Sequence, residues 1–115
     1  MMILFVAFGG ALGAVMRYLT LVSVPFPYGT MMVNVAGSFL MGLAYVFVAA
    51  RGGWPVFVMT GVLGGFTTFS AFSLDTLRLV EAGRVAMAGG YVFGSVALSV
   101  AAVFAGVLVA RGLTV

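Results

Sequence analysis

The chain has no cysteine, no histidine and no lysine, and only two acidic side chains among its 115 residues. Without cysteine there are no disulfides, thiolate metal sites or cysteine nucleophiles, and without histidine the commonest transition-metal ligand is missing too. Charged residues make up 6% of the chain, whereas soluble domains carry about 25%. That is too little to coat a surface facing water. The five cations are single arginines, Arg17, Arg51, Arg78, Arg84 and Arg111. They are scattered rather than clustered, which argues against a nucleic-acid partner. No basic stretch precedes the first apolar run and no small-residue cleavage site follows it, so that run is expected to be a permanent span.

What the chain does have is apolar length: 64% of it is hydrophobic. A bilayer core of about 30 Å takes about 20 residues of helix, so the chain can supply roughly four spans with little left for loops. The expected fold is all-α, one transmembrane four-helix domain over residues 1–115. The first span runs from Ile3 to about Leu21, and Pro25 and Pro27 mark the turn after it. The second runs from about Gly29 to Ala50 and is closed by Arg51-Gly52-Gly53, a cation and two helix stoppers. The third starts near Trp54-Pro55 and reaches Arg78. The fourth runs from about Val85 to Ala110 before Arg111-Gly112.

The third span is interrupted by Gly64-Gly65-Phe66-Thr67-Thr68-Phe69-Ser70. Paired glycines followed by hydroxyl-bearing and β-branched residues weaken a helix at membrane depth. A broken helix is predicted there. Unwound backbone inside a membrane is tolerated only where it is buried in protein or lines a cavity, and freed carbonyls can then coordinate a cation, for which Na⁺ is the natural candidate.

Charge predicts a poorly specified orientation. Four spans put Arg51 and Arg111 on one face and Arg17, Arg78 and Arg84 on the other, a near tie under the positive-inside rule. An antiparallel homodimer would use both orientations. Small residues recur four apart at Gly9 and Gly13, Gly10 and Ala14, Gly61 and Gly65, and Gly90 and Gly94, the spacing of close helix packing in lipid.

Polar groups within the spans are the guide to function, because each is costly unless it faces protein or water. Thr30, Asn34 and Ser38 fall at i, i+4 and i+8 on the second span, and Tyr91, Ser95 and Ser99 repeat the pattern on the fourth. These are two polar stripes, although hydroxyls that simply bond back to their own helix would give the same pattern. Phe69 and Phe72 lie one turn apart after the interruption, and their electropositive ring edges could face an anion or pack in a core. The acids, Asp75 and Glu81, both lie toward the end of the third span. No carboxylate stands at a span centre to relay protons, which disfavours proton coupling.

The strings Gly9-Gly10-x-x-Gly13-Ala14-x-x-Arg17-Tyr18, Gly29-Thr30-x-x-Val33-Asn34-x-x-Gly37-Ser38-Phe39-x-x-Gly42 and Gly61-x-x-Gly64-Gly65-Phe66-Thr67-Thr68-Phe69-Ser70-Ala71-Phe72-Ser73 together resemble the Fluc (CrcB) fluoride-channel family, across all four spans. The resemblance implies an antiparallel dual-topology homodimer in the inner (plasma) membrane that exports fluoride passively through two pores, around a structural central Na⁺. It implies Na⁺ ligation by the carbonyls of Gly64 and Thr67, pore phenylalanines at Phe69 and Phe72, a pore amide at Asn34, a hydroxyl track of Tyr91, Ser95 and Ser99, and Arg17 near an aqueous vestibule. Two positions depart from the family pattern: Val103, where the track often continues with a hydroxyl, and Ala71, often threonine. Two other readings remain at this stage, a small multidrug-type dual-topology antiporter, which would need a membrane carboxylate that the first span lacks, and a non-transporting membrane subunit.

Overall fold

The structure, a computed structural model, describes Met1–Thr114. Among these residues it is helical throughout, without strands. Helix α1 spans Met2–Ser23. It ends where Val24 turns extended (φ −113°, ψ 130°) ahead of Pro25, as expected of a residue preceding proline. Helix α2 spans Tyr28–Phe47 and starts directly after Pro27, whose peptide bond with Phe26 is cis. A turn containing Gly52 in the left-handed region (φ 60°) leads to the third candidate span, Val56–Glu81. This span is composite: a π-wound segment Val56–Leu63, one turn of α-helix at Gly64–Phe66 (α3), and α4 at Phe69–Glu81. Helix α5, Val85–Leu113, has 29 residues and is therefore about 43 Å long, enough to cross a bilayer core and project beyond it.

Four helical stretches are thus long and apolar enough to cross a membrane, and their surfaces agree with that environment. Phe8, Phe93 and Phe104 are each more than two-thirds exposed, an arrangement that water would penalise and lipid does not. The chain is a multi-pass membrane protein.

The main packing partners are α2 with α5, and α1 with the π-wound segment. Both contacts depend on absent side chains. A methyl group at Gly13 would overlap the Val62 carbonyl, and one at Gly42 would overlap the Val103 carbonyl, with Gly106 directly opposite. In lipid such backbone approach is a main source of helix association, because apolar side chains gain little by leaving lipid for protein. The expected small-residue motifs divide here. Gly9 and Gly13 face Gly61 and Val62, and Gly65 sits against Gly10 and Ala14, but among the described residues a methyl at Gly90 would meet no other element within 4 Å and one at Gly94 only the end of Met31. The glycines that seat α5 are Gly42 and Gly106, which are not spaced as a local pair and so left no mark on either helix alone.

Candidate ion pathway

The site is organised by two residues. Helix stops at Phe66 and resumes at Phe69, and between them Thr67 (φ −83°, ψ 156°) and Thr68 (φ −154°, ψ 123°) are extended. Two extended residues would leave several backbone groups without partners, and side chains supply them. Asn34 of α2 reaches across: its Oδ1 accepts the Thr68 N–H at 2.8 Å and its Nδ2 donates to the Thr68 carbonyl at 2.9 Å. One amide thus pins the residue from both sides, like a neighbouring strand. Thr68 also caps α4, its Oγ1 accepting the Ala71 N–H at 3.1 Å. The Thr67 hydroxyl donates back to the Leu63 carbonyl at 2.9 Å.

These diversions have a consequence for two carbonyls. In a continuous helix the Thr68 N–H would bond to the carbonyl of Gly64 and the Ala71 N–H to that of Thr67. Both donors are committed elsewhere, so the Gly64 and Thr67 oxygens lose their helical partners.

Beside the interruption lies a cavity of about 650 Å³. Asn34 and Ser38 line it from α2, Gly64 and Thr67 from the interruption, Phe69 and Phe72 from α4, and Ser95 and Ser99 from α5. Phe69 is 77% exposed, whereas Phe72 is buried with its ring centroid 5.4 Å from that of Phe69. The Ser95 and Ser99 Oγ atoms are buried and have no hydrogen-bond partner among the described residues. A buried hydroxyl without a partner costs about 1–3 kcal/mol, and neither serine relieves that cost by bonding to its own helix. Asn34 spends one Nδ2 hydrogen on Thr68, which leaves one N–H free. Beyond Ser99 the lining turns apolar, through Met41, Val100 and Val103.

Three sequence-predicted residues lie outside this cavity. Thr30 is buried at the start of α2. Arg17 sits partly exposed on α1, with no ion pair among the described residues. Tyr91 is buried behind Phe72, stacked on it at 5.4 Å with the planes 30° apart. Its hydroxyl donates to Asp75 Oδ2 at 3.1 Å. Asp75 is only 6% exposed and is the functional-looking residue that the sequence reading passed over. An acid within an apolar span, one turn from Phe72 on the same helix face, was the available signal.

The profile of a protein family described as "CrcB-like protein, Camphor Resistance (CrcB)" matches residues 4–107. The chain belongs to that family. Among its CrcB-family relatives, the fluoride-specific ion channel FluC of Paracoccus denitrificans (strain Pd 1222) is 54% identical over 115 residues, covering 94% of this chain and 93% of the relative. The protein of the same name from Cereibacter sphaeroides (strain ATCC 17029 / ATH 2.4.9) is 54% identical over 114 residues, 93% and 92% of the two chains. That of Agrobacterium fabrum (strain C58 / ATCC 33970) is 48% identical over 118 residues, 94% of each. As a CrcB-family member the chain is a transport protein of the membrane, not an enzyme.

Proposed function

We propose that this protein is a fluoride-selective ion channel. The observation that carries the reading is the pair of buried, unpartnered hydroxyls on Ser95 and Ser99, facing the cavity shared with Asn34 and the two phenylalanines. Fluoride is small, strongly hydrated and a strong acceptor, so a path for it must replace water with donors and positive ring edges. The serine hydroxyls and the free Asn34 N–H are such donors, and the relatives named as fluoride-specific channels are alike over nearly the whole chain.

The working unit is an antiparallel, dual-topology homodimer in the inner (plasma) membrane, with two pores. Support comes from the near tie in arginine distribution and from the exposed Phe69 ring beside the open cavity, a group that a second copy would cover. The interruption lies midway along the 26-residue third span, which supports a mid-membrane position for it. A structural Na⁺ fits the interruption. The Gly64 and Thr67 carbonyls would hold it, because both have lost their helical donors and carbonyl oxygen is a hard ligand suited to a hard cation. Such an ion supplies fixed positive charge and ties the two copies together. Export is passive, since no proton-relay carboxylate borders the cavity. The antiporter reading requires a carboxylate on the first span, and α1 has none.

Purified protein reconstituted into liposomes loaded with fluoride provides the test. Fluoride leaves down its own gradient when the only counter-current is an added K⁺ ionophore. Efflux no faster than from protein-free vesicles defeats the proposal.

A further inference from the structure

A second concavity lies far from the ion pathway. It is a notch of about 450 Å³ between α1 and the start of the third span, lined by Phe5, Phe8, Gly53, Trp54 and Phe57. We propose that this notch, with Arg51, binds one anionic phospholipid, its acyl chain against the aromatic rings and its phosphate on the Arg51 guanidinium.

The shape and the chemistry of the notch both favour this occupant. Most of the lipid-facing surface is convex helix, but here the ring of Phe5 folds over Gly53 and Trp54 meets Phe57 edge-on at 6.0 Å, leaving a recess with almost entirely apolar walls. Trp54 stands at the end of the span, 58% exposed, where an indole takes an interfacial position. Its ring N–H has no partner among the described residues, and neither does the exposed Arg51. The two residues share one turn, the Trp54 backbone N–H donating to the Arg51 carbonyl at 3.1 Å. Among the described residues, the charged side chains at this end of the molecule are all cationic. Chain connectivity puts Arg51 and Arg111 together at the end where α1 begins, while both acidic side chains, Asp75 and Glu81, lie in the other half, toward the far end of α4. No carboxylate of the described residues competes for Arg51, so an apolar recess adjoins unpaired donors at headgroup depth. That combination matches an acyl chain joined to a phosphate.

Native mass spectrometry of the detergent-purified channel with equal amounts of phosphatidylglycerol and phosphatidylcholine tests the assignment. One cation near an anionic headgroup gives about a fivefold preference. Phosphatidylglycerol adducts should therefore exceed phosphatidylcholine adducts about fivefold in the native chain. Arg51→Gln should abolish the preference, Phe8→Ala should weaken both lipids, and Arg111→Gln, outside the notch, should keep it. Phe8 and Arg51 are exposed, so neither change removes buried packing, and an unchanged gel-filtration profile verifies this. Equal binding of the two lipids by the native chain overturns the proposal, as does a preference that survives in Arg51→Gln. Loss of self-association in Phe8→Ala without any lipid preference also overturns it, and assigns the notch to a contact between copies.

Discussion

At the scale of single residues, the decisive groups are those without a hydrogen-bond partner and those whose hydrogen bonds hold another residue in place. Ser95 belongs to the first kind. Its Oγ has no partner among the described residues, so Ser95→Ala breaks no hydrogen bond in the folded chain and, by removing a buried unpaired hydroxyl, should hold or raise stability rather than lower it. It does remove a donor from the proposed path of the anion. A hydrogen bond to a charged group is worth about 1.5–3 kcal/mol, so fluoride flux should fall about tenfold to hundredfold, with the thermal unfolding of the detergent-purified protein as the control. Asn34 belongs to the second kind. Asn34→Ala strands the N–H and the carbonyl of the buried Thr68, at about 1–3 kcal/mol for each, so it should lower stability as well as flux. Spacing alone placed Asn34 on a polar stripe, but its partner lies 34 residues away. No local pattern distinguishes an amide that lines a pathway from one that holds backbone open. In the structure Asn34 both lines the cavity and holds the Thr68 backbone. Asp75 was missed for a related reason: near the end of a span an acid reads as interfacial until a buried tyrosine is found bonded to it.

At the scale of elements, the proposed function rests on the third span, which the structure builds from three helical pieces. Its interruption was legible in sequence from Gly64-Gly65 and the paired threonines. The π-wound stretch before it was not, since Val56–Leu63 contains nothing that a regular α-helix would refuse. The extended pair is maintained by capping. Thr68→Ala removes the cap on Ala71 at about 1 kcal/mol and should cut fluoride flux, whereas Thr68→Ser keeps the oxygen and most of the flux. If the freed Gly64 and Thr67 carbonyls hold a structural Na⁺, replacing Na⁺ with N-methylglucamine should destabilise the dimer. Tracer ²²Na⁺ should nonetheless fail to move in any fixed ratio with fluoride, and a constant ratio would make Na⁺ cargo. The α2–α5 crossing gives a separate check. Gly42→Ala gains about 1 kcal/mol in helix propensity but drives a methyl into the Val103 carbonyl. Overpacking costs about 1–3 kcal/mol and a backbone clash sits at the upper end, so unfolding in denaturing detergent should show net loss.

At the scale of the whole molecule, the scarcity of charge that marks the chain as a membrane protein also bears on the dual topology proposed for it. Two arginines at one end against three at the other is too small a bias to direct insertion one way. The chain has no native cysteine, so a single Gly112→Cys substitution reports on orientation. A membrane-impermeant thiol reagent applied to intact spheroplasts should label about half of the protein, and complete labelling or none would establish a single topology. Span number and span limits could be read from hydropathy because each span must satisfy the bilayer individually. Which helix packs on which could not, because that depends on pairs such as Gly42 and Gly106, brought together only by folding.

The most direct test of the central claim is the initial rate of passive halide efflux from liposomes carrying the native chain, measured in parallel for fluoride and chloride. Buried serine donors beside aromatic edges, in a path too demanding for a larger and weaker acceptor, predict fast fluoride release with chloride at the rate of empty vesicles. Equal rates for the two anions, or fluoride release no faster than from empty vesicles, would contradict the account.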